Sequence, residues 1–162
     1  MRFEHVNRYA AGSDAVLTML TTPAFREEVC VRQRALDHDV DVTGAGPGAV
    51  VLIARTQSMQ GAPGVATKVV GDTVRIVQRE EWRTATEADF VMEIPGKPGR
   101  LDGGIVLRDN GDGTTDELFS GEVKVTVPLL GRKLEQMIAS ILERALVKEG
   151  QVGASWFADG PS

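Results

Sequence analysis

Six segments between residues 36 and 127 alternate apolar and polar residues, and this series constrains the fold more than any other feature of the chain. In the first segment, residues 36–42, three aspartates alternate with His38 and two valines. A period of two indicates a β-strand with one buried face. Short turns rich in glycine, such as residues 44–48, separate the segments and favour antiparallel pairing of neighbours. The sequence therefore predicts a six-stranded antiparallel meander.

The same alternation predicts which side chains of the sheet face the protein interior. In the second segment we expect Arg55 and Gln57 to face solvent, because both are polar, and this places Leu52 and Ala54 inside. The complete predicted inward set is Leu36, His38, Val40, Val42, Val50, Leu52, Ala54, Thr56, Val74, Ile76, Gln78, Glu80, Trp82, Ala88, Phe90, Met92, Ile94, Phe119, Val123, Val125 and Val127.

Shorter elements precede or interrupt the meander. The first ten residues place Phe3, His5, Asn7 and Tyr9 on one face and predict a further strand. Residues 12–33 predict two short helices, the second of which carries a proline in its first turn. We interpret residues 60–72 as a loop with room for one helical turn.

The last predicted element is a long amphipathic helix that follows Pro128 and Gly131. At about 1.5 Å per residue, the roughly 25 residues up to position 151 extend about 37 Å, enough to cross six or seven strands spaced about 4.8 Å apart. We therefore predict that this helix covers one face of the sheet. Its predicted inward stripe, with steps of three and four residues, is Leu130, Leu134, Met137, Ile138, Ile141, Ala145 and Val152.

Composition limits the kinds of partner. A chain of 162 residues, 42% of them apolar, predicts one domain over residues 1–162, with a disordered tail from about residue 158. A net charge of -5 without a basic cluster argues against binding to nucleic acid or anionic membranes. The sequence shows no signal peptide and no apolar run long enough to span a bilayer. We expect a cytoplasmic monomer or homodimer without stable membrane insertion.

No catalytic or metal-binding motif stands out. His5, His38 and Cys30 are the only histidines and cysteine, too few for the ligand sets typical of metal centres. Residues 109–117 resemble a calcium loop superficially, but their acidic residues miss the required spacing and the segment predicts a hairpin turn. Glycine-rich turns between a strand and a helix, typical of nucleotide sites, are also missing. We predict neither a metal nor a cofactor.

Two stretches carry a resemblance to a known superfamily: VQREEW at residues 77–82, and VTVPLLGRKLE at residues 125–135, where the final helix begins. With its order of elements from Arg2 to about Phe157, the chain resembles the START-like (SRPBCC) superfamily. Within it, the chain is similar to an uncharacterised, largely actinobacterial domain-of-unknown-function family. The resemblance implies an α+β helix-grip fold: one strand, two short helices, the six-stranded meander and a long C-terminal helix packed across a curved, seven-stranded sheet.

The resemblance also implies a cavity between sheet and helix, which in relatives holds lipids, sterols, polyketides or other apolar molecules. We therefore expect the chain to bind a small apolar ligand, as a carrier or sensor. The residues expected to contact this ligand are Val40, Leu52, Ile76, Gln78, Glu80, Trp82, Phe90, Met92, Ile105, Phe119, Leu134, Met137, Ile141 and Ala145.

The polar residues of the inward face leave other hypotheses open. An enzyme acting on such a ligand would use Glu80 and His38 as acid and base, which requires the two side chains to converge. The simpler interpretation is that the inward polar groups pair with one another or lie near wetted strand ends. A third hypothesis is an interaction module whose interior is filled.

Overall fold

The computed structural model describes residues 1–159, which form a single antiparallel sheet covered on one face by helices. The strands are Arg2–Tyr9 (β1), Asp37–Thr43 (β2), Val50–Ser58 (β3), Thr73–Trp82 (β4), Glu87–Glu93 (β5), Gly99–Asp109 (β6) and Thr115–Val125 (β7). The helices are Ser13–Leu20 (α1), Pro23–Arg32 (α2), Gly64–Val70 (α3) and Gly131–Ala158 (α4).

The sheet follows the order β1-β7-β6-β5-β4-β3-β2. Strands β2 to β7 therefore form the predicted meander, and β1 closes it by pairing with β7 from Arg2 opposite Glu122 to Tyr9 opposite Thr115. This confirms the α+β helix-grip architecture, including both short helices after β1. Helix α3 is longer than expected, because residues 64–70 form seven helical residues where one turn was predicted.

Two facing glycines mark a close approach between β6 and β7. Gly103 lies opposite Gly121, and a Cβ added to Gly103 would lie 2.1 Å from the carbonyl oxygen of Ser120. A Cβ on Gly121 would lie 2.5 Å from the carbonyl oxygen of Asp102. Only glycine fits at this pair of positions, and glycines inside strands are typical of places where a sheet bends.

Most of the predicted strand faces are confirmed, with exceptions at Leu36 and in β3. Leu36 precedes β2 and is 62% exposed, so it does not face inward as predicted. Val74, Ile76, Gln78, Glu80 and Trp82 of β4 are all buried. In β3 the prediction was wrong by one residue: Val51, Ile53 and Arg55 are buried, whereas Leu52 is 37% exposed on the other face. In the antiparallel pair with β2, inward Val40 and Val42 lie opposite Ile53 and Val51, and directly opposed residues share a face.

Helix α4 has 28 residues and continues to Ala158, so it includes Val152, the last residue of the predicted stripe. Its most buried side is rotated relative to the predicted stripe, and comprises Leu134, Ala139, Leu142, Leu146, Glu149, Val152 and Gly153. Leu130, predicted to face inward, precedes the helix and is 37% exposed. The predicted disordered tail begins inside α4, and its residues 160–162 lie outside the described residues.

The helices within residues 1–159 are α1 to α4. None of them combines the length and the apolar character needed to cross a bilayer.

Candidate ligand cavity

A cavity of about 630 Å³ lies between one end of the sheet and the N-terminal half of α4. Its floor is formed where β3 ends, β4 begins, β5 ends and β6 begins, and α3 with the preceding loop forms one wall. The walls are mainly aliphatic. Their apolar side chains include Ala66 and Val69 from α3, Ile76 and Met92 from the sheet, and Met137 and Ile141 from α4.

The α4 residues that line the cavity are less buried than their neighbours on the same helix. Met137, Ile138, Ile141 and Ala145 are only half-buried, whereas Leu142 and Leu146, on the adjacent side of the helix, are buried in the core. The predicted helix stripe therefore consists largely of cavity wall. The strip that packs against the protein core lies beside it.

The structure brings part of the predicted ligand-contact set to this cavity. Lining it are Ile76, Met92, Leu134, Met137, Ile141 and Ala145. The predicted residues Gln78, Glu80, Trp82, Phe90, Ile105 and Phe119 share the covered face of the sheet but are buried further along it, outside the cavity wall. Val40 lies half-buried on β2, also outside the wall, and Leu52 points to the opposite face.

Basic side chains surround the mouth of the cavity, although the chain as a whole is acidic. Lys97, Arg100, Arg144 and Lys148 line it together with a single carboxylate, Glu93. Arg100 is paired with Glu93 and Asp102, whereas the two lysines form no salt bridge within residues 1–159. The local electrostatic potential at the mouth is therefore positive.

One further cation, Arg55, lies at the inner end of the cavity. Its side chain projects from β3 and is only 4% exposed. Its Nη1 donates a hydrogen bond to Gln78 Oε1 at 3.3 Å, and no carboxylate within the described residues forms a salt bridge with it. Its Nε is buried without a hydrogen-bond partner. Burial lowers the pKa of Arg55, as expected for a guanidinium without a close counter-ion.

Beyond Gln78 the hydrogen bonds lead into a second polar region under the C-terminal half of α4. We call Arg26, Glu80, Glu117 and Glu149 the ionic cluster. Arg26 of α2 donates from Nη2 to Glu80 Oε1 at 2.6 Å, and its Nη1 lies 3.7 Å from Glu149 Oε2. Gln78 donates to the other oxygen of Glu80 at 2.7 Å. Buried carboxylates are stable only with such partners.

The acidic members of the ionic cluster outnumber its one guanidinium, which perturbs their protonation. Burial is the main cause that raises the pKa of Glu149 to about 7, while Arg26 acts in the opposite direction. Burial and then the charge of Glu149 raise the pKa of Glu117 well above its ordinary value. The Tyr9 hydroxyl donates to Glu117 Oε1 at 2.9 Å. Burial and the charge of Glu149 both favour the protonated form of Glu117.

His38 and Glu80 do not converge. The strand register places His38 opposite Arg55, and Glu80 opposite Val51, four residues further along β3. With β3 between them, their Cα atoms are separated by about 13 Å along the strands and about 10 Å across them. Glu80 is instead the partner of Arg26 and Gln78, as in the simpler interpretation of the inward polar residues.

Within residues 1–159, no group of three or more histidine, cysteine, aspartate or glutamate side chains is arranged to hold a metal ion. The chemistry available at the cavity is therefore that of an apolar wall, a positive mouth and one buried guanidinium. Such a set of groups can bind and orient a ligand.

The buried charged residues that sequence reasoning missed include Arg26, Arg55, Glu117 and Glu149. Two of them had a usable signal. Glu117 precedes the inward Phe119 by two residues and so shares its face, and Glu149 follows Leu146 by one helical step. Arg26 and Arg55 had none, because burial of an arginine depends on partners that are distant in sequence.

Comparison with known families identifies the family of the chain. A family model described as "Protein of unknown function (DUF2505)" matches residues 4–157. The chain belongs to this DUF2505 family. No curated protein sequence matches it significantly.

Solved structures with the same fold cover almost the whole chain. TTHA0849 from Thermus thermophilus is 13% identical, with a TM-score of 0.66 and complete coverage of both chains, 100% and 100%. A START superfamily protein from Mycobacterium smegmatis is 10% identical (TM-score 0.57), over 93% of this chain and 96% of that one. The Zhui aromatase/cyclase from Streptomyces sp. R1128 is 12% identical (TM-score 0.56), over 94% and 90%. At such identities the similarity shows that the DUF2505 chain shares the START-like fold.

Proposed function

We propose that the chain binds a small hydrophobic ligand in the cavity between the sheet and α4, as a carrier or sensor. The observation that carries this proposal is the apolar cavity of about 630 Å³. Ligand sites of proteins are typically apolar clefts of roughly 300–1,000 Å³ with a few polar groups that orient the ligand. The cavity has both features.

The fold supports the proposal without specifying the ligand. Proteins that share it include a START superfamily protein and an aromatase/cyclase, so the same scaffold serves more than one function. A lipid, a fatty acyl chain, a sterol-like molecule and a polyketide all remain candidates. The separation of His38 from Glu80 removes the acid–base pair on which an enzymatic function was based.

An uncharged fluorescent dye tests the proposal. We expect Nile red to bind the native protein with increased emission, and fatty acyl or polycyclic compounds to displace it. Ile141→Trp places an indole in the cavity and should weaken Nile red binding. Val147→Trp, on the exposed side of the same helix, is the matched control and should leave binding unchanged.

Two outcomes would contradict the proposal. The first is dye binding that appears only when the protein is partly unfolded. The second is an equal effect of the two tryptophan substitutions, which would place the dye on the surface of α4. Native mass spectrometry of the purified protein complements the dye, because a retained ligand would appear as a mass increase that is lost on denaturation.

The remaining features of the proposal come from composition and resemblance. We infer a cytoplasmic location, a monomer or homodimer, and a family found mainly in actinobacteria. The net charge of -5 supports the expectation that nucleic acid is not a partner. Each of these stays a prediction.

A further inference from the structure

We infer that the preferred ligand is an amphiphile with a carboxylate head group, and that the carboxylate binds Arg55 at the inner end of the cavity. This inference rests on the proposed function and adds the chemistry of the ligand to it. Its basis is the difference between the two buried arginines of the chain.

Arg26 shows what a buried guanidinium requires in this fold. It donates to the Leu20 carbonyl oxygen at 2.7 Å and to Glu80 at 2.6 Å, and Glu149 lies 3.7 Å away. Two carboxylates therefore surround it. Removing a charged group from water is unfavourable by several kcal/mol unless such partners replace the water.

Arg55 is almost as deeply buried, at 4% exposure, but it has only a neutral amide oxygen as a partner. The titratable groups that act on it are Cys30 on α2 and Glu149 on α4, and Gln78 lies between it and the carboxylate of Glu80. Neither of these carboxylates forms a salt bridge with Arg55 within residues 1–159. Its guanidinium is therefore a buried cation that lacks a directly bound anion.

Because Arg55 lines the cavity, a ligand bound there can supply the missing anion. Arg55 lies opposite Ile76 in the β3–β4 register, and both side chains line the cavity. The next inward residues on the same face, Ile53 and Gln78, do not line it. A ligand that fills the apolar cavity thus ends at Arg55. A carboxylate there would accept bidentate hydrogen bonds from the planar guanidinium.

The mouth of the cavity adds an independent argument for an anionic ligand. Lys97, Arg144 and Lys148 line it without a salt bridge in the described part of the chain, and only Glu93 opposes them. In a chain with a net charge of -5, this concentration of positive charge favours approach of anions from solution. The lysines attract the head group from solution, and Arg55 binds it at the inner end of the cavity.

Matched ligands that differ only in the head group test the inference. At about pH 8, where the fatty acid is ionised, dodecanoate and dodecanol are titrated separately against the protein loaded with Nile red. We expect dodecanoate to bind about 10- to 100-fold more tightly, the range expected for hydrogen bonds to a charged group.

Substitutions then locate the head group. Arg55→Met should abolish the preference for the acid and leave dodecanol binding unchanged or stronger. Arg55→Lys keeps the charge without the planar fork and should retain part of the preference. If Arg55→Met does not fold, Arg55→Lys alone still tests whether the preference depends on the guanidinium. Arg75→Met is the matched control, because Arg75 lies on the outer face of β4 and is paired with Asp37 and Asp39.

The outcomes separate this inference from the proposed function. Equal affinity of the wild-type protein for acid and alcohol would overturn the inference and leave the apolar ligand site intact. A preference that survives in Arg55→Met but disappears at high salt would place the head group at the exposed lysines, and would also overturn it. Failure of both compounds to displace Nile red would reject the proposed function together with the inference.

Discussion

The two halves of α4 cover the same sheet in different ways. The N-terminal half forms the roof of an apolar cavity, and its facing residues Met137, Ile141 and Ala145 are half-buried. The C-terminal half packs directly on its neighbours, with Leu146 and Val152 buried and Glu149 in the ionic cluster. One half of the helix therefore leaves space for a ligand, and the other carries the buried Arg26–Glu149 pair.

The difference shows how this fold can keep a cavity open. In the C-terminal half of α4, the Leu146 carbonyl oxygen accepts a hydrogen bond from Asn7 of β1 at 3.0 Å, and Glu149 lies 3.7 Å from Arg26 of α2. Because a helix is stiff over several turns, its N-terminal half is held above the sheet without filling the space beneath. Substitutions in the two halves should therefore have opposite consequences for stability and for ligand binding.

The largest effect is expected from Arg26→Met. This substitution leaves Glu80 and Glu149 buried without their cation, and removing one partner of a buried ion pair typically lowers the free energy of unfolding by about 3–5 kcal/mol. Chemical denaturation measures this loss in the free energy of unfolding. Arg75→Met, which breaks exposed pairs with Asp37 and Asp39, is the control and should cost about 0–1 kcal/mol. Equal losses for the two variants would refute the central role of the ionic cluster.

A pH-dependent effect of about 2–3 kcal/mol is expected from Glu149. Its pKa is raised from 4.5 to about 7 in the folded protein. Between these values the unfolded chain releases the proton while the folded chain retains it, so stability is full below about pH 4.5 and is lost as the pH rises towards 7. Glu149→Gln cannot titrate, and it should flatten this part of the stability profile.

Denaturation curves of wild type and Glu149→Gln between about pH 5 and pH 8 measure the difference. Glu143→Gln, on the exposed side of α4, is the control and should follow the wild-type profile. Parallel profiles for wild type and Glu149→Gln would show that Glu149 is ionised throughout, contrary to its position in the ionic cluster.

The smallest change in stability is expected from Ala145→Leu, although it adds a larger group than the substitution compared with it, Gly153→Ala. Ala145→Leu introduces three carbons into the cavity, so stability should stay within about 0.5 kcal/mol of wild type while Nile red binding weakens. Gly153→Ala adds one carbon in the other half of α4, where a Cβ would lie 2.2 Å from the Tyr9 ring. Overpacking there should cost about 1–3 kcal/mol and leave dye binding unchanged.

Thermal melts and dye titrations on the two variants decide between a cavity and a packed interior. If Ala145→Leu proves more destabilising than Gly153→Ala, the N-terminal half of α4 is packed, and the contrast between the two halves of the helix is wrong.

The sequence predicted the sheet well where alternation was unambiguous. Polar and apolar residues alternate over residues 73–76 of β4 and 87–90 of β5, which set the faces of these strands, and every inward assignment from Val74 to Met92 is confirmed. The order of elements followed from hairpin turns, and the covering helix from its length. These features are encoded locally, in the spacing of residues along one segment.

The prediction failed where local spacing was ambiguous. Residues 50–53 of β3 are all apolar, so the assumption that Arg55 faces solvent decided the register and reversed it. A one-residue shift moves every side chain to the other face. For the same reason the candidate site lacked Arg55, and Leu52 was included in its place. Burial of an arginine is decided by the cavity and by partners such as Gln78, which the spacing within β3 does not encode.

The pairing of β1 with β7 also has a consequence for how the chain folds during synthesis. Arg2 lies opposite Glu122, and β7 is the strand that pairs with β1 in the described sheet. Ribosomes add about 5–20 residues per second, so β1 is complete roughly 6–24 s before its partner strand has been translated. During that interval β1 has no partner strand, and the side chains of Phe3, Asn7 and Tyr9, which are buried in the folded protein, are exposed. The N-terminal segment of this protein therefore depends on the translation of β7, and its exposure to chaperones or to other nascent chains ends only when that strand emerges.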